Sequence, residues 1–492
     1  MLLLGIDIGT SSVKVAVVDA ATQKTIASTQ YPEAESEIIS LYPGWAEQSP
    51  ETWWENTKNA ILQLHSLKKY DPKDITAIGI AYQMHGLVMV DKAQNILRNS
   101  IIWCDSRAVA IGDKAFEDIG KEKCLSHLLN SPGNFTASKL AWVKQNEPAI
   151  YAGTDKVMLP GDLIAMKLTG EISTSVAALS EGVFWDLRKN ELSSIVFEYY
   201  GLERSMIPTI KNVFEEHGRL LSSVADTLSL KKGIPVTYKA GDQPNNALSL
   251  NVLEPGEVAA TAGTSGVIYA VSDRLARDDQ SRINSFAHIN HETAQRRIGA
   301  LLCINGAGIF NRWIKNIFGN GLSYQQMNEA ASAIEPGSDG ITILPFGNGA
   351  ERMLNNRTVG AHINGLDLNK HSNAHLYRAA QEGITFAFRY GLDIMRENGI
   401  SPHVIRAGKA NMFLSDVFTN SFVNALNVPV ELYDCDGSVG AAIGAGLGAK
   451  IYAGTKEAFQ HFKPVALVEP AKGNVLEEFY QRWSSQLQKQ LN

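Results

Sequence analysis

Apolar positions dominate from the second residue, and Leu2 to Ile6 carries no polar side chain. Such a run reads as a strand buried on both faces. A Gly9-Thr10-Ser11 turn leads into a second run, Val13 to Val18. Far downstream, Glu257 to Asp273 repeats this layout around Gly263-Thr264-Ser265. Laid side by side, residues 9–19 and 263–273 are identical at seven of eleven positions with one constant offset. Two hairpins can share a Gly-Ser turn by chance, but a duplicated domain accounts better for the identities. Between the hairpins the spacing predicts helices over Trp53 to Leu64 and Ser138 to Gln145. It predicts strands over Ile75 to Ala81 and Val236 to Ala240. Beyond the second hairpin, long helices are expected over Ala374 to Glu397 and Phe413 to Leu426, followed by the glycine-rich run 440–446. Strand and helix alternate in both halves, so the class is α/β. The boundary falls near Leu248 to Pro255, giving a first domain over 1–250 and a second over 251–492.

Length changes the picture little: 492 residues suit two or three domains. A 45% apolar and 20% charged composition is that of a globular chain. The formal charge of -6 offers no basic surface for a phosphate backbone, so a nucleic-acid partner is disfavoured. The opening residues lack a basic leader and place an acid at Asp7, unlike a signal peptide. No stretch reaches the length of a membrane helix, so no membrane partner is expected. Cys104, Cys124, Cys303 and Cys435 are scattered without a CxxC pair. They read as reduced core thiols in a cytoplasmic protein.

Three stretches carry candidate chemistry. Asp7 ends a buried strand just before a turn rich in backbone N–H groups. It is either a turn-capping acid or one side of a site completed by a cation or a metal-bearing polyphosphate. The duplicated Gly263-Thr264-Ser265 favours the second, because two such loops can close on a phosphate chain from opposite sides. No GxxxxGK[ST] run occurs, which excludes a P-loop. The 440–446 glycines contain a GxG spacing without a dinucleotide fingerprint, and suit a helix packed close to a sheet. Asp242 emerges where the Val236 to Ala240 strand becomes a helix, as an N-cap or as a general base facing a cleft. Gln83, Met84 and His85 leave a buried strand at its C-terminal end, the usual ligand edge of such sheets; a lone His there is also commonly structural. Trp103 with Asp105 and Arg107 offers either a sugar-binding wall or a core Trp beside an ion pair.

Together these residues resemble the FGGY carbohydrate kinase family over almost the whole chain. Gly5-Ile6-Asp7-Ile8-Gly9-Thr10-Ser11 is similar to the family's first phosphate segment. Trp103-x-Asp105-x-Arg107 and Gly241-Asp242 match its sugar-side and catalytic segments, and Gly263-Thr264-Ser265-Gly266 follows at the expected distance. Leu344-Pro345-Phe346, with Glu351-Arg352 after it, resembles a loop of the second domain. Gln83-Met84-His85-Gly86 is similar to the sugar-binding stretch of the xylulokinase branch. The resemblance implies two actin-like (ribonuclease H-like) domains with an interdomain catalytic cleft. It also implies ATP and Mg2+ as cofactors and a small sugar as acceptor, D-xylulose giving D-xylulose 5-phosphate. By it Asp242 is the base, and Asp7 organises metal and phosphate. Gln83, Met84, His85, Trp103, Asp105 and Gln243 serve the sugar. Thr10, Ser11, Gly263, Thr264 and Gly308 serve the phosphates, with Gly408 and Asn411 near adenine. Two departures stand out: the family's Gly-Gly-Gly-Ala adenine loop is here Arg406-Ala407-Gly408-Lys409-Ala410, and Gln243 follows the catalytic acid where xylulokinases commonly have Asn. Gluconate, ribulose and glycerol therefore stay open as acceptors. A non-catalytic actin-like nucleotide binder is the reading from another class. Oligomeric state, a homodimer included, is open.

Overall fold

The computed structural model describes residues 1–473 and 475–492. Two mixed sheets organise the chain. The first has the order Gly218–Arg219, Pro235–Gly241, Ile75–Tyr82, Leu2–Ile8, Val13–Asp19, Thr25–Tyr31. The second runs Asn284–Ala287, Ile298–Ile304, Gly266–Ser272, Glu257–Ala262, Val404–Gly408, Val430–Tyr433, Ala466–Val468. Five central strands repeat one another: an antiparallel meander of three, then two strands parallel to the first. This is the two-domain actin-like α/β architecture. The third meander strand of each sheet went unpredicted for separate reasons. Thr25–Tyr31 has only one fully buried residue, whereas Ile298–Ile304 is a short apolar run that a helix segment would match equally well.

The Gly437–Gly448 helix leaves the second half of the chain and lies on the sheet of the first. Glycines on both surfaces make the approach possible. A Cβ on strand residue Gly5 would sit 1.8 Å from the Ser438 carbonyl oxygen, and one on Gly79 2.0 Å from that of Ala441. The expectation that residues 440–446 pack a helix close to a sheet is met by this contact. The Asp242–Ser249 helix crosses it at the seam between the two halves, where the Asn245 side-chain amide donates to the Gly437 carbonyl at 2.8 Å.

Other expectations need adjusting. The helix expected from Phe413 is cut by Ser415, whose hydroxyl caps a helix running only over Asp416–Leu426. Residues Asn411–Leu414 form a single 3-10 turn. Among the four cysteines only Cys124 is a core thiol; Cys104 and Cys303 are exposed and Cys435 is half-buried. No helix among the described residues is long and apolar enough to cross a membrane.

Candidate active site

Parallel strands deliver their C-terminal ends to one edge, and the functional side chains gather there. Leu2–Ile8 carries Asp7, Ile75–Tyr82 leads into Gln83, Met84 and His85, and Pro235–Gly241 ends beside Asp242. Gly241 is the N-cap and Asp242 the first helical residue, so the N-cap reading of Asp242 does not hold. The Gln243 side chain hydrogen-bonds the Asp242 carboxylate, and its Oε1 is buried without a partner. Burial pushes the Asp242 carboxyl up to about 7, with the nearby negative charge of Asp7 adding to it. Asp7 itself is pushed up to about 6, mainly by burial; Lys14 opposes the shift and Asp436 adds to it. No described residue donates a hydrogen bond to the Asp7 carboxylate. Two half-buried acids with neighbouring like charge repel one another, a strain that a cation would relieve.

His85 sits in the left-handed region at φ +62°. Three contacts hold it there. Its N–H donates to the Glu181 carboxyl at 3.1 Å, its carbonyl accepts from the Lys139 ammonium at 2.8 Å, and its ring Nδ1 bonds the Glu181 carbonyl at 3.1 Å. Burial and the Lys139 charge push the imidazole down to about 3, so it is neutral. A neutral ring that donates from Nδ1 to a carbonyl leaves Nε2 as a hydrogen-bond acceptor. Phe135 and Phe286 flank the ring edge-on and tilted, with centroids 4.9 and 5.5 Å away. Phe286 belongs to the second sheet, so His85 lies at the seam between the two halves.

The remaining sugar-side residues divide by geometry. Trp103 is half-exposed and its indole donates to the Thr10 hydroxyl at 2.9 Å. That hydroxyl donates to Gln83, whose amide donates to Gln48 at 2.9 Å. Gln83 is thus a brace between the first turn and the ligand edge, with its amide engaged on both sides. Asp105 departs from its sugar-binding expectation. It is fully buried, and both carboxylate oxygens accept from Arg107 and from the Ala46 and Arg107 backbone N–H groups. Arg107 also pairs with Glu47 at 2.7 Å and lies over Trp45, 3.7 Å from the ring centre. No oxygen of Asp105 is left for a substrate hydroxyl.

A cavity of about 380 Å³ opens in the second half. Gly263, Thr264, Gly308 and Asn411 line it, as do Arg312, Tyr324 and Met412, which sequence reasoning missed. The Gly308–Phe318 helix points its N-terminus at the second turn. Gly308 N–H bonds the Gly263 carbonyl at 3.0 Å and Ile309 N–H that of Thr264 at 2.9 Å. A Cβ on Gly308 would fall 2.2 Å from the Gly263 oxygen, so only glycine fits. Gly306-Ala307-Gly308 ahead of an amphipathic run was the available signal for Arg312. Thr10, Ser11 and Gly408 do not line this cavity. Thr10 is tied into the Gln83–Trp103 network instead, and Gly408 ends the Val404–Gly408 strand near the Cys435 carbonyl.

Comparison with known proteins identifies the family. Residues 2–249 match the N-terminal domain of the FGGY family of carbohydrate kinases, and residues 258–449 its C-terminal domain. The chain belongs to the FGGY family of carbohydrate kinases. The xylulose kinase of Escherichia coli strain K12 is 29% identical over 94% of this chain and 92% of its own. A solved structure of a xyloylose kinase from Brucella ovis is 26% identical and superposes with a TM-score of 0.88 over 99% of both chains. A gluconate kinase from Lactobacillus acidophilus, at 20% identity, superposes with a TM-score of 0.89 over 100% of this chain and 98% of its own. Fold alone therefore does not choose the sugar.

Proposed function

We propose that the protein transfers the terminal phosphoryl group of ATP to the C5 hydroxyl of D-xylulose. The observation that carries this reading is the placement of two half-buried acids, Asp7 and Asp242, at the strand edge that also delivers Met84 and His85. The names of the relatives support the sugar. Arg107, which stands beside the sugar-side segment, is consumed by Asp105 and Glu47 and is not free to pair the carboxylate of gluconate, which favours a neutral acceptor. Along the sequence the domains divide at residues 250 and 251, with the Gly437–Gly448 helix reaching back to pack on the first sheet, and the setting is cytoplasmic.

Asp242 accepts the proton of the sugar hydroxyl as that oxygen bonds to phosphorus and the bridging oxygen of the nucleotide departs. His85 Nε2 accepts from another sugar hydroxyl, and Met84 gives the carbon skeleton an apolar neighbour. The cavity lined by Gly263, Thr264, Gly308 and Asn411 takes the nucleotide, with the Arg312 guanidinium towards its phosphates. Among the described residues no three His, Cys, Asp or Glu side chains are grouped to hold a metal by themselves. The unpaired Asp7 carboxylate nevertheless suits Mg2+, which is commonly held by one or two carboxylates plus substrate phosphates. Such an ion would neutralise charge on the transferred group.

A coupled assay over xylulose, ribulose, gluconate and glycerol tests the reading: D-xylulose is expected to give the largest kcat/KM, and a preference for gluconate refutes it. The pH profile gives a second check. A base raised to about 7 works only when deprotonated, so kcat/KM with xylulose should climb with pH on an acidic limb near neutrality. Removing a neighbouring negative charge favours ionisation. Asp7→Asn therefore moves the limb to lower pH, at a much reduced rate; a limb that stays fixed refutes the coupling of the two acids.

A further inference from the structure

Glu181 is the most conspicuous group at the ligand edge that neither the sequence reading nor the scheme above uses. It closes the Val176–Glu181 helix and is only 2% exposed. One carboxyl oxygen, Oε1, accepts the His85 N–H at 3.1 Å. The other, Oε2, has no hydrogen-bond partner among the described residues, yet it is not sealed in the interior. Oε2 lies 2.8 Å from the point where a Cβ on Gly241 would stand, and Met84 Cγ lies 2.6 Å from that same point. Glu181 thus meets Met84 over the backbone of the residue that precedes Asp242. Its surroundings carry charge of both signs without a salt bridge. Asp242 and Asp162 raise its affinity for a proton and Lys139 lowers it, but the Lys139 ammonium is committed to the His85 and Ile102 carbonyls at 2.8 and 2.9 Å. Asp162 is itself paired with Lys239 at 2.5 Å. Burying a carboxyl with a free oxygen beside two further acids is costly unless a ligand satisfies it.

Resting on the sugar-kinase reading above, we infer that Glu181 is a specificity-determining residue for the acceptor, with Oε2 bonding directly to an oxygen of a neutral ketose. Burial pushes this carboxyl well above the usual carboxylate range, which favours its protonated form. A neutral carboxyl both donates and accepts, which suits a ketose carrying a carbonyl and several hydroxyls. An acceptor whose facing group is an anionic carboxylate would instead meet the negative charge of Asp242, which bears on this same carboxyl. Glu181 therefore acts at two places: through Oε1 it fixes the His85 backbone, and through Oε2 it reads the sugar.

Full-length Glu181→Leu and Glu181→Gln proteins separate these roles. Leu removes both oxygens, and the D-xylulose KM is expected to rise at least about tenfold, the scale of one lost hydrogen bond in a site built for it, with the ATP KM unchanged. Gln keeps an acceptor for His85 and a donor for the sugar, so KM returns to within a few-fold of the wild type. Monodeoxy analogues of the same ketose supply the readout that a purely structural role leaves unmoved. One analogue should be used equally well by wild type and Glu181→Leu, whereas loss through a displaced His85 would penalise all analogues alike and overturn the inference. An unchanged D-xylulose KM in Glu181→Leu would also overturn it. Should the Leu variant fail to fold, a crystal of the wild-type protein with D-xylulose decides: a sugar oxygen within about 3.2 Å of Oε2 is expected, and its absence refutes the contact. Failure of the wild type to phosphorylate any neutral ketose would sink the sugar-kinase reading instead, whatever the variants do.

Discussion

Asp242→Asn is expected to lower kcat with xylulose about a hundred- to ten-thousand-fold, the range for removal of a general base, while nucleotide affinity stays within a few-fold. The asymmetry follows from geometry. Asp242 stands beside Gly241, Met84 and Gln243 at the sugar-side strand edge, whereas the cavity of about 380 Å³ that suits a nucleotide is lined from the second half of the chain. Isothermal titration with ADP and a coupled turnover assay on the same preparation check both parts. Turnover within a few-fold of wild type would refute the assignment of the base. A non-catalytic nucleotide binder predicts equal ADP affinity and no sugar-dependent turnover in either protein. Stability supplies a control against trivial unfolding. The folded-state value for Asp242 is raised from 3.8 to about 7, so its contribution to stability is complete below about 4 and lost as pH rises through about 7. Asn cannot ionise and escapes that loss. The metal-free variant should therefore melt above the metal-free wild type at pH 8, and the difference should shrink at pH 5.

Much of this arrangement was legible because strong local patterns coincided with the functional geometry. The strands bearing Asp7 and Asp242 are apolar runs, and their turns hold glycine and hydroxyl residues at matched positions. Gly263, Thr264, Gly308 and Asn411 could be singled out together, and the fold brings all four to one cavity. What escaped were relationships set by side chains remote in sequence. Asp105 looked like a sugar ligand beside an aromatic wall. Its oxygens are instead drawn to Arg107 because Trp45 and Glu47, some sixty residues earlier, build a socket for that guanidinium. Gln83 likewise turns towards Gln48 and Thr10. Glu181 carried no motif at all: it closes a six-residue helix and matters only because the chain folds it against His85 and Gly241. Asp436 hides in a turn before the glycine-rich helix, where its carboxylate caps that helix and bears on Asp7.

The glycine-rich helix leads to the second large effect: Gly5→Ala should destabilise the protein by about 3 kcal/mol, the upper part of the range for overpacking a close contact, and should lower turnover as well. The added methyl would stand 1.8 Å from the Ser438 carbonyl oxygen and 2.5 Å from the Ala442 nitrogen. Both are backbone atoms of the Gly437–Gly448 helix, so no side-chain rotation can relieve the clash and the helix must lift from the sheet. Lifting it disturbs the ligand edge directly, because a Cβ on Gly437 would lie 2.3 Å from Asp7 Oδ2, and the Gly437 carbonyl receives the Asn245 amide three residues after Asp242. One substitution under the glycine-rich helix should thus shift the melting temperature and reduce kcat together. Gly153→Ala is the control: nothing lies within 4 Å of its Cβ position and its φ is not positive. Its stability should stay level or rise slightly, through a less flexible unfolded chain. Equal melting temperatures for the Gly5 and Gly153 variants would show that the helix yields without cost and would remove the mechanical link between the seam and the acid pair.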